Sequence, residues 1–132
     1  MEDMESKELA ILSAKAMDAR KGTKITVLKL EDLTVLTDYF VVGTGASRIQ
    51  TRAMADNIED ELAKAGIRPS RIEGLQEGRW ILMDYGHVII HIFQEDERSF
   101  YGLERLWADA PALPFEEVFP GRDPDDMEAS AE

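Results

Sequence analysis

The chain has 132 residues, with 44% hydrophobic and 32% charged side chains, a balance that suits one water-soluble domain with a single core. It holds no cysteine, which excludes disulfides, thiolate catalysis and cysteine-based zinc sites. The net charge is −12, and seven acids against one arginine between Glu116 and Glu132 supply half of it, so the folded part is acidic as well. Binding to a phosphate backbone needs clustered Lys and Arg, and no such cluster is present. No apolar run approaches the roughly 20 residues that cross a bilayer. The acidic start, Met1-Glu2-Asp3-Met4-Glu5, is the opposite of a secretory or transit segment, so a cytoplasmic protein is expected.

Ser6 to Lys21 reads as a helix, with Leu9, Ile11, Leu12, Ala16 and Met17 as its apolar stripe and Gly22 as its stop. Ile25 to Leu30 alternates like a strand, and Tyr39 to Thr44 is a denser apolar run suited to a buried one. Gly43, Gly45 and Ala46 form a tight turn into a second helix, which Ser47 and Gln50 open at capping-box spacing. Met54, Ile58, Leu62 and Ala65 give its buried stripe, and Gly66 stands at its C-terminal cap. A short strand, Arg71 to Glu73, follows Pro69, and a turn over Gly74 to Gly78 leads to a hairpin of Trp80–Asp84 and His87–Phe93. Arg98 to Trp107 reads as a last helix.

The predicted fold is therefore α/β (α+β), in the order α-β-β-α-β-β-β-α. It has a mixed, mostly five-stranded sheet with helices mainly on one face. Residues 1–114 are expected to form one domain, and 115–132 an acidic, disordered tail.

The hairpin carries the finest inference. If Tyr85-Gly86 is its two-residue loop, Trp80 faces His91, Leu82 faces Ile89 and Asp84 faces His87, all on one side. The opposite side shows Ile81, Met83, Val88, Ile90 and Ile92 without a polar atom, so it belongs under the helices. The mixed side is then the candidate functional surface.

His87 and His91 could serve as zinc ligands or as an acid–base pair with Asp84, but no recognised ligand spacing supports them. Glu73 and Asp84 could be paired hydrolase carboxylates, yet 27 acids make two near a hairpin unremarkable in number. The turn from Gly43 to Ser47 could cradle phosphate at a helix N-terminus, although it matches neither common phosphate-loop pattern. Leu103 and Leu106 are most simply the core-closing face of the last helix. Trp80, Tyr85, Tyr39 and Trp107 are large aromatics near polar edges, the residue types that anchor protein interfaces. No metal or cofactor set is predicted.

The motif series is Thr37-Asp38-Tyr39-Phe40, Gly43 to Ser47, Glu73-Gly74, Trp80-x-Leu82-x-Asp84-Tyr85-Gly86, His91-x-Phe93 and Arg98-x-x-Tyr101-x-Leu103-Glu104-x-Leu106-Trp107. In order and spacing it closely resembles the ribosomal silencing factor, or Iojap, family over roughly Leu9 to Ala110. It departs at His87, where that family usually has an acid, and in its longer acidic tail. The resemblance implies a nucleotidyltransferase-like fold without the catalytic carboxylates, and a non-enzymatic translational repressor. It also implies binding to the large ribosomal subunit through ribosomal protein L-fourteen, steric blockade of subunit joining under nutrient limitation, a role in large-subunit biogenesis, and a homodimer.

The residues carried into that partner-binding role are Asp38, Tyr39, Glu73, Trp80, Asp84, Tyr85, His91, Arg98, Tyr101, Glu104 and Trp107. Of these, Asp38, Glu73, Asp84 and Glu104 are read as rim charges, and Tyr39, Trp80, Tyr85 and Trp107 as desolvated anchors. The rival reading is a nucleotidyltransferase or phosphohydrolase that uses the Gly43–Ser47 turn.

Overall fold

The first helix, α1, spans Ser6–Ala19 and buries Leu9, Ala10, Ala14, Ala16 and Met17 along one stripe. The computed structural model describes residues 4–101 and 108–122, with the backbone alone for 99–101. Then come strands β1 (Thr23–Lys29) and β2 (Tyr39–Gly45), helix α2 (Arg48–Ala63), and strands β3 (Arg71–Glu73), β4 (Trp80–Asp84) and β5 (Val88–Gln94). Helix α3 covers Glu95–Tyr101 and a short α4 covers Phe115–Val118. The expected last helix thus begins three residues early, and its stretch beyond Tyr101 lies outside the described residues.

The sheet is five-stranded and mixed, in the order β1-β2-β5-β4-β3. Its parallel pair is β2 with β5, and the remaining pairs are antiparallel. The crossover from β2 therefore takes in α2, β3 and β4 before returning beside its own start. The two most apolar strands lie at the centre, where both faces are covered.

Helices α1 and α2 pack on each other and on one face of the sheet. Under them lie Val27, Val41, Ile81, Met83, Val88, Ile90 and Ile92, each at most 2% exposed. This is the wholly apolar side that period-two alternation assigned to the helices. Gly43 permits the contact, because a Cβ there would sit 2.3 Å from Met17 Sδ.

Local signals close the helices as their residues suggest. Ser47 Oγ accepts from Gln50 N–H at 3.1 Å, and Gln50 Oε1 accepts from Ala46 N–H at 2.6 Å. The Gln50 amide also donates to the Arg20 and Lys21 carbonyls, so one side chain ties the end of α1 to the start of α2. At the far end Gly66 takes φ +80°, and Ile67 N–H reaches the Leu62 carbonyl at 3.0 Å.

The hairpin register differs from expectation by two residues. Trp80 pairs with Phe93, Leu82 with His91 and Asp84 with Ile89. The turn is Gly86-His87, closed by Tyr85 N–H on the Val88 carbonyl at 3.0 Å, with Gly86 at φ +86°. A shift of two leaves every side chain on its predicted face, because the pleat has period two. Only the cross-strand neighbours change, and His87 goes to Asp38 Oδ2 at 3.5 Å rather than to Asp84.

The expected boundary at residue 114 lies too early. Ala112 bridges Leu28 antiparallel, and Lys29 N–H donates to the Pro111 carbonyl at 2.8 Å. The chain thus runs along the outer edge of β1 and covers it. It then turns onto the helical side, where Val118 and Phe119 are 4% and 5% exposed in the main core. Acidic composition concealed these two anchors, since Glu116 and Glu117 flank them with charge. Residues 123–132, the rest of the expected tail, lie outside the described residues.

Candidate docking face

The second face of the sheet carries Leu28 and Leu30 from β1 and its exit, Phe40 and Val42 from β2, and Ile89, His91 and Phe93 from β5. Trp80, Leu82 and Asp84 from β4 and Arg71 and Glu73 from β3 complete it. It divides into two parts. Near β1 and β2, Leu28, Leu30, Phe40, Val42, Phe93 and Ala110 form a second buried cluster, with Trp80 and Ile89 packed against its margin. Towards β4 and β3 the side chains open progressively to water: Trp80, Leu82, Asp84 and Ile89 are half-buried, and Arg71 and Glu73 exposed.

An aromatic stack joins the two parts. Phe40 meets the His91 ring edge-on at 4.8 Å, His91 lies parallel to Phe93 at 6.1 Å, and Trp80 tilts over Phe93 at 5.1 Å. Trp80 Nε1–H donates to His91 Nδ1 at 3.0 Å. An indole N–H can only donate, so Nδ1 must be the unprotonated nitrogen of a neutral His91 and Nε2 carries the hydrogen. That Nε2 is buried and has no hydrogen-bond partner among the described residues. His91 thus fixes the orientation of the Trp80 ring from below.

Burial lowers the His91 pKa from 6.5 to about 4. Between those values the unfolded chain takes up a proton that the folded chain does not, so stability falls as pH drops through the window. The loss expected by its lower end is about 2–3 kcal/mol. Urea melts at a series of pH values should show the wild type losing stability more steeply than His91→Gln, which keeps an acceptor for Trp80. Parallel slopes for the two proteins would remove His91 as the source.

At the open end, Arg71 bridges two carboxylates, with Nη1 3.0 Å from Glu73 Oε2 and Nε 3.4 Å from Asp84 Oδ2. Asp84 Oδ1 also accepts the Gly86 N–H at 2.8 Å, so the residue shapes the hairpin turn as well as carrying charge. Such exposed pairs contribute about 0–1 kcal/mol, which leaves them exchangeable for a partner's cations. Beside the indole is an open hollow of about 220 Å³ lined by Gly74, Glu77, Arg79, Trp80 and Glu97. An aromatic wall with two carboxylates suits an arginine or lysine side chain.

The expected contact residues separate accordingly. Glu73, Trp80 and Asp84 share this face and reach water. Tyr39, expected as an anchor, points the other way and is 4% exposed in the helix-side core, where burial raises its pKa. Tyr85 also packs against that core; its hydroxyl is buried without a partner among the described residues, and burial raises its pKa too. Odd-numbered positions of β2 and β4 face the helices, and an aromatic ring near a polar edge does not by itself tell the two faces apart.

His91 lies on the predicted face but is 4% exposed, so it supports Trp80 from within. Arg98 is 8% exposed, and its guanidinium donates to the Lys24 carbonyl and to Thr44 Oγ1, the latter at 2.8 Å. It fastens α3 to β1 and β2 rather than meeting a partner. Asp38 sits at the sheet's end, where it accepts from Ser6 Oγ at 2.7 Å. The side chain of Tyr101, and all of Glu104 and Trp107, lie outside the described residues. Leu82 and Ile89 lie on this face as alternation predicted, though neither was among the expected contact residues; Arg71 was passed over, and its pairing with Asp84 adds it.

The expected turn from Gly43 to Ser47 is mostly strand, since Gly43, Thr44 and Gly45 end β2 in register with Ile92, Phe93 and Gln94, and it is no open phosphate cradle. A Cβ on Gly45 would lie 2.8 Å from Thr51 Cγ2, and residues 41–45 are all buried. Both glycines are there for helix–sheet packing, against Met17 and Thr51. Among the described residues no group of three or more His, Cys, Asp or Glu could hold a metal ion.

Residues 3–132 match the family model described as ribosomal silencing factor during starvation. The chain is 40% identical to the ribosomal silencing factor RsfS of Bacillus subtilis (strain 168), over 82% of this chain and 92% of that protein. A crystal structure of a Chromobacterium violaceum protein superposes with a TM-score of 0.77 at 34% identity, covering 80% of this chain and 88% of that one. More distantly, the mouse protein named mitochondrial assembly of ribosomal large subunit protein 1 is 31% identical over 63% of this chain and 38% of its own length. With the fold, the motif series and the family model in agreement, the chain belongs to the ribosomal silencing factor family.

Proposed function

We propose that this protein represses translation by docking on the large ribosomal subunit, through ribosomal protein L-fourteen, and obstructing entry of the small subunit when nutrients are short. The observation that carries the reading is the open end of the sheet face: a half-buried Trp80, oriented from below by His91 and bordered by Glu73, Asp84, Glu77 and Glu97. Ribosomal proteins are generally basic, and an acidic domain of this charge associates with such a surface quickly and in a salt-sensitive manner. Glu73, Trp80 and Asp84 are proposed as contact residues, joined by Arg71, Leu82 and Ile89. A stable interface buries about 1,600 Å² in total, a demand that one face of a domain this size can meet.

The mechanism is occupancy, so it assigns no reaction, no cofactor and no metal. The name of the mouse relative, an assembly protein of the mitochondrial large ribosomal subunit, supports a second role in large-subunit maturation at the same binding site. The cytoplasm is the compartment proposed for both. A homodimer is proposed for the unbound protein, with one copy engaging each subunit. The deciding experiment mixes purified small and large subunits with saturating protein and follows joining by light scattering. Reduced formation of joined ribosomes is expected; joining at the control rate and extent would refute the proposal.

A further inference from the structure

The loop from Leu30 to Asp38 holds apolar side chains out in water. Val35 is 101% exposed, Leu36 81% and Leu33 45%. The loop is nonetheless ordered by its own hydrogen bonds. Leu33 and Thr34 N–H both donate to the Leu30 carbonyl, at 2.8 and 3.0 Å, and Leu36 N–H donates to Thr34 Oγ1 at 3.1 Å. Leu30 N–H donates to the Asp38 carbonyl at 2.7 Å and so closes its base. A display fixed in this way loses little conformational freedom on contact.

Its position connects it with the docking face. Leu30, at the root, is fully buried in the same cluster against which Trp80 and Ile89 pack. At the other end, Asp38 and Tyr39 N–H both donate to the His87 carbonyl, beside the Gly86-His87 turn.

The charges around the tip discriminate among occupants. Glu31 and Asp32 are exposed immediately before it, and Asp38 follows it half-buried. A second copy packed about a two-fold axis would set these carboxylates against their equivalents. An anionic bilayer or a nucleic-acid backbone would be repelled by them. A protein surface with an apolar notch and a rim of Lys or Arg satisfies both the apolar tip and its acidic border.

We propose that Leu33, Val35 and Leu36 form a second docking point, which inserts into a basic-rimmed apolar notch on the protein surface that receives the Trp80 face. This rests on the docking reading of that face. The test uses the full chain carrying Val35→Ser and Leu36→Ser, with affinity for purified large ribosomal subunits measured by fluorescence anisotropy. Both side chains contact water, so thermal melting should be unchanged, while Kd rises about tenfold or more. A companion variant with Glu31→Lys and Asp32→Lys keeps the apolar tip and reverses its border; its expected result is about fivefold weaker binding with a shallower dependence on salt.

Wild-type affinity in the serine variant, alongside a large loss for Trp80→Ala, would overturn the loop proposal and leave the face intact. No binding by the wild type would overturn both. A serine variant that sediments as a smaller species than the wild type would make the loop a contact between copies and overturn the assigned occupant. Unchanged binding in the lysine variant would overturn the basic rim.

Discussion

Trp80→Ala is expected to weaken binding to large ribosomal subunits by more than tenfold, a loss above about 1.4 kcal/mol. Trp80 combines three features of an interface anchor. Its ring is half-buried, it is packed on Phe93, and it is fixed in angle by His91. Contact with a partner would complete the burial of a ring already immobilised, so little side-chain entropy is lost on docking.

Asp84→Lys should have an effect of similar size by placing a cation where a basic partner surface approaches. Because Asp84 also accepts the Gly86 N–H, the lysine variant changes the turn as well as the charge. Asp84→Asn separates the two roles, since an amide oxygen keeps the turn bond while the charge disappears. An intermediate loss of affinity is expected for it, with little change in melting temperature. If a correctly folded Trp80→Ala protein binds with wild-type affinity, this face is not the interface.

The largest stability effect is expected at Gly74, the second residue of the Glu-Gly motif. Gly74 has φ +80°, and a Cβ there would lie 2.1 Å from the backbone oxygen of Trp80 and 3.2 Å from its carbonyl carbon. A backbone atom at the head of a paired strand cannot swing aside as a side-chain tip can. Gly74→Ala must therefore displace the start of β4, with an expected loss of about 3 kcal/mol and a melting temperature lowered by about 10 °C.

Gly66→Ala is the internal comparison. Its φ is also +80°, but a Cβ there meets nothing within 4 Å, so only the left-handed backbone penalty of about 1 kcal/mol applies. Equal losses at the two positions would show that the clash with Trp80 contributes nothing. Because Gly74 sets the position of Trp80, the alanine variant should also bind subunits more weakly than its residual folded fraction accounts for.

Much of the architecture is local in origin and could be read from the chain. The spacing of Met54, Ile58 and Leu62, the Ser47 cap and the stop at Gly66 specify α2 through interactions within a few residues of one another. Alternation in β4 and β5 separated Ile81, Met83, Ile90 and Ile92 from Trp80, Leu82, Asp84 and His91. That division survived a two-residue error in register, because a pleat repeats every two residues. The Glu-Gly and Gly-x-Gly-x-Ser elements could be recognised as motifs, but their cause, backbone and side-chain contacts with Trp80, Met17 and Thr51, is visible only in three dimensions.

Composition and periodicity by themselves determined an acidic chain of α/β class, its order of elements and the face on which Trp80 and Asp84 sit. Tertiary structure alone decided that β2 pairs with β5, that Tyr39 and Tyr85 turn inward, that Arg98 is a clamp and that Val118 and Phe119 return to the core. These outcomes depend on partners distant in sequence, such as Arg98 with Lys24 and Thr44 or Ala112 with Leu28. Local propensity carries no information about which distant groups will meet, so a buried guanidinium and an exposed one look alike until the chain has closed around them.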